Sequence, residues 1–473
     1  MKEGVVLIVP NWRWDDSPLA VDTLRPPPCP PLEFAYIASG LDQHPVVLDA
    51  FVEDLTVDDL SARIEAIKPA SIVVTTTPSL LYWRCPPLSI VAPRHAITAA
   101  RSHGARTIAI GPHPTFSPAW FVEATGVDIA FRGSPERCLT RVPSHKSQLL
   151  GPALWGARTQ SSIAVEHAAD LPCADFSIFD FDLPYEPHMW GVSKEEREIA
   201  GHFARCSLIE FSRGCPWSCS YCAKVPVRDK FERRPLGRVL EELQALEAAG
   251  VDYVFFIDET FNLPGNEFDE LLNALSALSL SYGFQGRPDL ITPRLAERLA
   301  KSGCVYAELG IDVALNDVSN EIGRKQKMSS AQLGISLLSE LVPIVRFNRL
   351  NLQTLDYRER LGYPYQQGWS YPPDPTFPYP GSPLGDEWSK WYGSDTGEFD
   401  WESAERYGWW LRLEVMMQRS GHCPPDGELR VLMNKFLNME PAHQREVASR
   451  FNNVSAPIEF QRENLSVLGN GRE

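Results

Sequence analysis

No run of apolar residues in this 473-residue chain approaches the roughly 18 needed to span a bilayer. A membrane-embedded role is therefore not expected. The N-terminal Val5-Val6-Leu7-Ile8-Val9 is too short for a secretory signal and reads as a first strand, so the cytosol is the expected location. Basic residues are also in deficit: 45 Lys and Arg face 61 Asp and Glu, a formal charge of -16. Such a chain lacks the phosphate-neutralising surface of a nucleic-acid binder, and it can attract a cationic ligand. A second metal-binding pair is missing too. No Cys or His pair follows the one cysteine cluster at a spacing that would complete a four-ligand zinc site.

What is present is enough chain for two or three domains. Residues 1–135 alternate strands with helices. Strands are predicted at Val5 to Val9, Val46 to Asp49, Ser71 to Thr76, Thr107 to Ile110 and Val127 to Phe131. Helices are predicted at Pro31 to Leu41, Val57 to Ile67 and Val91 to His103. This pattern predicts an α/β, doubly wound parallel sheet of Rossmann-like form, with its ligand crevice beyond the strand C-termini. Residues 136–200 show no sustained periodicity and read as a linker. From Ser207 a second βα series begins, with strands at Ser207 to Phe211, Val251 to Ile257, Tyr282 to Gln285 and Val305 to Leu309. Repeated units of this length predict a full or partial barrel over 201–385, with its active site at the C-terminal strand ends. Gly362 to Gly385 reads as a long loop, and 386–473 as a small, mainly helical cap over Trp401 to Arg419 and Glu428 to Phe451. Its tryptophans, Trp388, Trp391, Trp401, Trp409 and Trp410, are expected to be core.

Ten cysteines are present, and three fall within eight residues of one another in Ser212-Arg213-Gly214-Cys215-Pro216-Trp217-Ser218-Cys219-Ser220-Tyr221-Cys222. The C-x3-C-x2-C loop directly follows a predicted strand, which places it on the barrel's C-terminal rim. Three thiolates can hold three irons of a cubane and leave the fourth iron for another ligand. Zinc is the structural alternative. The other seven, Cys29, Cys85, Cys138, Cys173, Cys206, Cys304 and Cys423, are scattered and read as small buried hydrophobes.

This loop resembles the signature of the radical S-adenosylmethionine (SAM) superfamily. The resemblance implies a [4Fe-4S] cluster on Cys215, Cys219 and Cys222, with SAM on the open iron and Tyr221 near the adenine. By the same resemblance, Glu259 or Asp258, after the second strand, would receive the methionyl amino group, and Glu308 would meet the ribose. Gln285 and Arg287 follow the third strand, and Arg287 can pair with a carboxylate. Asp312, just past the fourth strand, is a candidate base or amine anchor. Each of these has a plain alternative as a structural rim charge.

The first domain resembles the cobalamin-binding domain of B12-type radical SAM enzymes. The resemblance is carried by Pro30-Pro31-Leu32-Glu33-Phe34-Ala35-Tyr36, Gly111-Pro112-His113-Pro114-Thr115 and Phe131-Arg132-Gly133-Ser134-Pro135-Glu136. The usual D-x-H-x-x-G loop is absent, because Pro10 to Asp16 contains no His, and Asp42-Gln43-His44 matches it only in part. Two alternatives follow: cobalamin held without a protein imidazole, or a vestigial domain, with Tyr82, Trp83 and Arg84, after the third strand, facing the corrin in the first and filling its place in the second. In size, domain order and motif the chain resembles radical SAM diol dehydratases of aminoglycoside (apramycin-type) antibiotic biosynthesis. That implies dehydration of a cationic aminosugar, an external flavodoxin- or ferredoxin-type electron donor and a partner reductase. The alternatives are a cobalamin-dependent C-methyltransferase of a natural product, or a non-enzymatic metal-binding protein.

Overall fold

The computed structural model describes residues 4–16, 27–79, 86–141, 167–189, 192–223, 228, 230–312, 316–351, 354–361, 374–375, 377–388, 397–419, 421 and 423–450. Strand β1 (Val5–Val9) is an apolar run buried along nearly its whole length. Such a strand needs cover on both faces. It lies between β2 (Val46–Asp49) and β3 (Ser71–Thr75), followed by β4 (Arg106–Ile110) and β5 (Ile129–Ala130), in the parallel order β2-β1-β3-β4-β5. The order reverses between β1 and β3, so the crevice opens beyond their C-terminal ends.

Local chemistry sets the helices. Thr56 caps the helix Val57–Ile67 reciprocally with Asp59: its hydroxyl accepts from the Asp59 amide at 3.1 Å, and the Asp59 carboxylate accepts from the Thr56 amide at 3.1 Å. A cap of this kind is worth about 1 kcal/mol. Leu60 and Ile64, one turn apart, turn its apolar stripe into the core.

The second sheet has six parallel strands: β6 (Cys206–Ile209), β9 (Tyr253–Phe256), β10 (Ser281–Gly286), β11 (Cys304–Asp312), β12 (Ile344–Asn351) and β13 (Asp374–Pro375). They neighbour one another in that order. Helices Leu236–Ala248, Asn266–Leu275, Pro293–Lys301 and Met328–Ser339 link them, as a partial (β/α) barrel requires. β7 (Ser212–Arg213) and β8 (Glu232–Arg233) form a short antiparallel ladder beside the cysteine loop. Gly283 in β10 is a packing requirement, because a Cβ there would overlap the Tyr253 hydroxyl. β12 has no counterpart among the predicted strands, and its sequence IVRFNRLN explains why: Arg346, Asn348 and Arg349 break the apolar pattern.

The C-terminal helices are Trp401–Arg419, Asp426–Leu437 and Pro441–Arg450. The stretch expected as one helix over Glu428 to Phe451 is two, interrupted ahead of Pro441, which favours a helix start. Trp401, Trp409 and Trp410 are buried, as expected. Trp391 and the Trp388 side chain lie outside the described residues, as do Tyr82 to Arg84, Cys85 and most of the Gly362 to Gly385 loop. The cap packs on the first sheet unit. The Trp401 indole donates to Ser117 Oγ at 3.1 Å, its ring sits 4.3 Å from that of His113, and Arg94 pairs with Glu402. No helix among the described residues is long and apolar enough to cross a membrane.

Candidate active site

The cysteine loop leaves the barrel through a turn fixed by Asp258. This carboxylate is fully buried and accepts from the amides of Phe211 (3.0 Å) and Ser212 (2.5 Å) and from the Ser212 hydroxyl. Burial raises it to about 7 in spite of those bonds. Asp258 therefore holds the loop's root, and of the pair Asp258 and Glu259, Glu259 is the one that reaches the loop. Its Oε2 accepts from the Gly214 amide at 2.9 Å and its Oε1 lies 2.7 Å from Arg228 Nε. Gly214 has φ +74°, and a Cβ on it would overlap the Lys230 carbonyl. This position needs glycine.

Beyond Gly214 the loop is held by backbone on two sides. The Ser220 amide donates to Ile322 O at 2.9 Å, and the Leu384 amide donates to Ser220 O at 3.0 Å. The latter contact brings Tyr379-Pro380-Gly381-Ser382-Pro383-Leu384 to the cluster loop. Thr260 donates its hydroxyl toward Cys215 Sγ at 3.6 Å. Cys219 is buried, and Cys215 and Cys222 are partly exposed. Among the described residues no three His, Cys, Asp or Glu side chains converge on one metal position. A cubane does not ask for that, since each thiolate binds a different iron. Three cysteine thiolates on a glycine-hinged loop are the donor set a [4Fe-4S] cluster takes.

The neighbouring strand ends form a connected wall. Arg287, after β10, pairs with Asp289 at 2.9 Å, donates to Arg324 O, and lies 3.9 Å above the Trp217 ring. Arg324 reaches the Tyr221 hydroxyl at 3.4 Å and also bonds Gly310 O. Gln326 donates to both Asp289 (3.0 Å) and Gly310 O (3.1 Å). Gln285 stands opposite Glu308 in the sheet register, and its Oε1 is buried with no hydrogen-bond partner among the described residues. Glu308 accepts from the Tyr306 hydroxyl at 3.4 Å and lies 3.5 Å from His188 Nε2. Asp312 ends β11, but its side chain lies outside the described residues.

His188, Arg228, Gly323, Arg324 and Gln326 belong to this site without having been singled out in the sequence. His188 comes from the segment read as linker. Its ring meets Phe255 edge-on at 4.3 Å, its carbonyl accepts from the Tyr253 hydroxyl at 2.9 Å, and its Nδ1 is buried with no hydrogen-bond partner among the described residues. No local pattern marks such a residue.

In the first unit, a cavity at the ends of β1, β2 and β3 is lined by Val9, Trp12, Asp49, Phe51, Thr75 and Thr77, among others. The Thr77 hydroxyl is buried with no hydrogen-bond partner. Glu33, bonded by the hydroxyls of Thr75 (3.2 Å) and Ser79 (2.5 Å), is raised to about 7 by burial. Neither His113 nor His44 is placed as a cobalt ligand. His113 is fully buried, with Nδ1 3.1 Å from Thr76 Oγ1 and Nε2 2.7 Å from Pro87 O, and burial lowers it to about 4. His44 stands exposed, 3.6 Å from Asp175.

Residues 209–357 match the radical SAM superfamily. The fold and the cysteine loop agree with that match: residues 209–357 form a radical SAM domain, whose cofactors are a [4Fe-4S] cluster and SAM. Among its relatives is the anaerobic magnesium-protoporphyrin IX monomethyl ester cyclase of Rubrivivax gelatinosus, 22% identical over 355 residues, which are 71% of this chain and 60% of the cyclase. The chain thus spans about 60% of the length of that relative. A ribosomal protein uS12 methylthiotransferase from Carboxydothermus hydrogenoformans is 28% identical over 167 residues, 33% of this chain and 37% of that protein. In fold, the chain is similar to the radical SAM methyltransferase TsrM of Kitasatospora setae, solved with cobalamin and a [4Fe-4S] cluster. Identity there is 14% and the TM-score 0.55, over 98% of this chain and 100% of that one. It is likewise similar to OxsB, a cobalamin-dependent SAM radical enzyme solved with aqua-cobalamin and SAM, at 14% identity and a TM-score of 0.54 over 99% of this chain and 75% of that one.

Proposed function

We propose that the protein is a cobalamin-dependent radical SAM methyltransferase acting on carbon of a small natural product. The observation that carries this reading is the switch-point cavity of the first unit, in a chain whose whole length shares the fold of TsrM and OxsB. The cavity is lined by two large apolar rings, Trp12 and Phe51, and by Thr77, whose hydroxyl is unsatisfied among the described residues. That donor set fits a cofactor held by contact and hydrogen bonding, without an imidazole on its metal. The aminosugar dehydratase expected from the sequence has less support, since none of the relatives described above is named as a dehydratase.

When bound, the cluster supplies the electron for SAM cleavage and cobalamin supplies a methyl carrier. The remaining roles fall to this chain's residues. In this reading Glu259, held by the Gly214 amide and Arg228, accepts the methionyl ammonium. Glu308, held by Tyr306 and His188, accepts ribose hydroxyls in the same reading. Trp217 and Arg287 wall the space beside the loop.

The test is anaerobic reconstitution with iron, sulfide and hydroxocobalamin, then desalting. About one cobalamin per chain should remain, and its cob(II)alamin electron paramagnetic resonance spectrum should lack the nitrogen splitting of an imidazole ligand. With SAM and reductant, mass spectrometry should find S-adenosylhomocysteine. A protein that retains no cobalamin and forms only 5'-deoxyadenosine is not this methyltransferase, and the dehydratase reading then leads.

A further inference from the structure

An unbroken series of buried charges joins the first unit to the cysteine loop. Glu136, from the string Phe131 to Glu136, places Oε1 2.5 Å from Arg213 Nη2. Arg213 Nε is 2.9 Å from Glu210 Oε2, and Glu210 Oε1 pairs with Arg228. Arg228 Nε lies 2.7 Å from Glu259, whose other oxygen takes the Gly214 amide next to Cys215. All five side chains are at most 10% exposed. Burial alone would raise Glu210, yet Arg213, Arg228 and Arg234 hold it down at about 2, so it stays ionised.

Among the described residues the charges do not balance. Three carboxylates face two guanidiniums, because the remaining nearby guanidinium, Arg234, is engaged by both oxygens of Glu242. Glu136 Oε2 is buried with no hydrogen-bond partner among the described residues. A surplus buried negative charge is costly unless a cation offsets it. The end of the series that meets the cluster loop is Glu259, through the Gly214 amide.

The geometry assigns Glu136 as a positioning residue for SAM. Its charge, passed along Arg213, Glu210 and Arg228, makes the Glu259 end favourable for the cationic methionyl group. The first unit thereby takes part in SAM binding without touching it. The inference rests on the placement of the methionyl ammonium at Glu259 and is independent of the reaction catalysed.

The experiment compares two ligands on the reconstituted protein by equilibrium dialysis: SAM, and 5'-methylthioadenosine, which keeps the adenosine but lacks the ammonium and the sulfonium charge. Glu136→Gln should weaken SAM about tenfold, as expected for one lost charge interaction, and change 5'-methylthioadenosine less than about twofold. The double variant Glu136→Gln, Arg213→Gln restores the surplus of one negative charge and should recover most of the SAM preference. If Glu136→Gln does not load iron, Glu136→Ser, which admits water beside Arg213, replaces it with the same expectation. Unchanged SAM affinity, or equal losses for both ligands, overturns the inference. Glu259→Gln separates the layers: loss of SAM preference there but not in Glu136→Gln sinks the relay alone, and no loss in Glu259→Gln sinks the Glu259 placement too.

Discussion

Gly323 lies so close to Ser218 that a Cβ on it would overlap the Ser218 carbonyl oxygen, and its φ of +75° is one that other residues adopt only with strain. The cysteine loop is thus seated on a second loop that admits only glycine at the contact. Gly323→Ala should cost about 1–3 kcal/mol locally, read as a cluster that loses iron several times faster in air. Gly427→Ala is the control, since a Cβ there meets nothing within 4 Å. Equal iron retention in the two variants would show that the seat does not matter.

The three cysteines should act as a set. Replacing Cys215, Cys219 and Cys222 together by Ala should reduce bound iron from about four per chain to near zero. It should also abolish 5'-deoxyadenosine formation. A triple variant that still cleaves SAM contradicts the cluster assignment.

Glu33 should make stability depend on pH. Its folded value, about 7, lies above the ordinary 4.5, so the fold favours the protonated acid. That contribution is complete below about pH 4.5 and is lost as pH rises through 7, because folding then requires holding a proton the unfolded chain has released. Glu33→Gln is neutral throughout and can still bond Thr75 and Ser79. Relative to the parent it should gain about 2 kcal/mol between pH 5.5 and 8.5, measured by urea unfolding of the apoprotein. A difference that stays flat across that range would mean that Glu33 is ionised in the fold.

Much of the architecture was legible because burial on both faces demands apolar strands. Val5 to Val9 and Ser71 to Thr75 announce themselves, as does the stripe of the helix Leu236–Ala248. The cysteine loop was legible because its chemistry is compressed into eight residues. β12 was not, since its polar residues mask its strand pattern. The choice between Asp258 and Glu259 was not legible either. Adjacent residues on an extended chain point to opposite sides, and only the folded turn shows that Asp258 serves the Phe211 and Ser212 amides. Likewise, nothing local in the sequence couples Glu136 to Arg213 or His188 to Glu308. Partner choice among buried charges is a property of the packed fold.

The helix that begins at Trp401 completes a core begun by β1 and β3, with the whole barrel inserted between them in the chain. On the ribosome, the first unit therefore emerges with the surface around His113 and Ser117 uncovered, and it stays so until nearly three hundred further residues have been made. Contacts of such separation close slowly. The apolar surface left waiting is the kind that chaperones engage on nascent chains. The helices from Trp401 onward act as a seal, so the sheet unit that precedes the barrel in the chain is finished only after the barrel has been made.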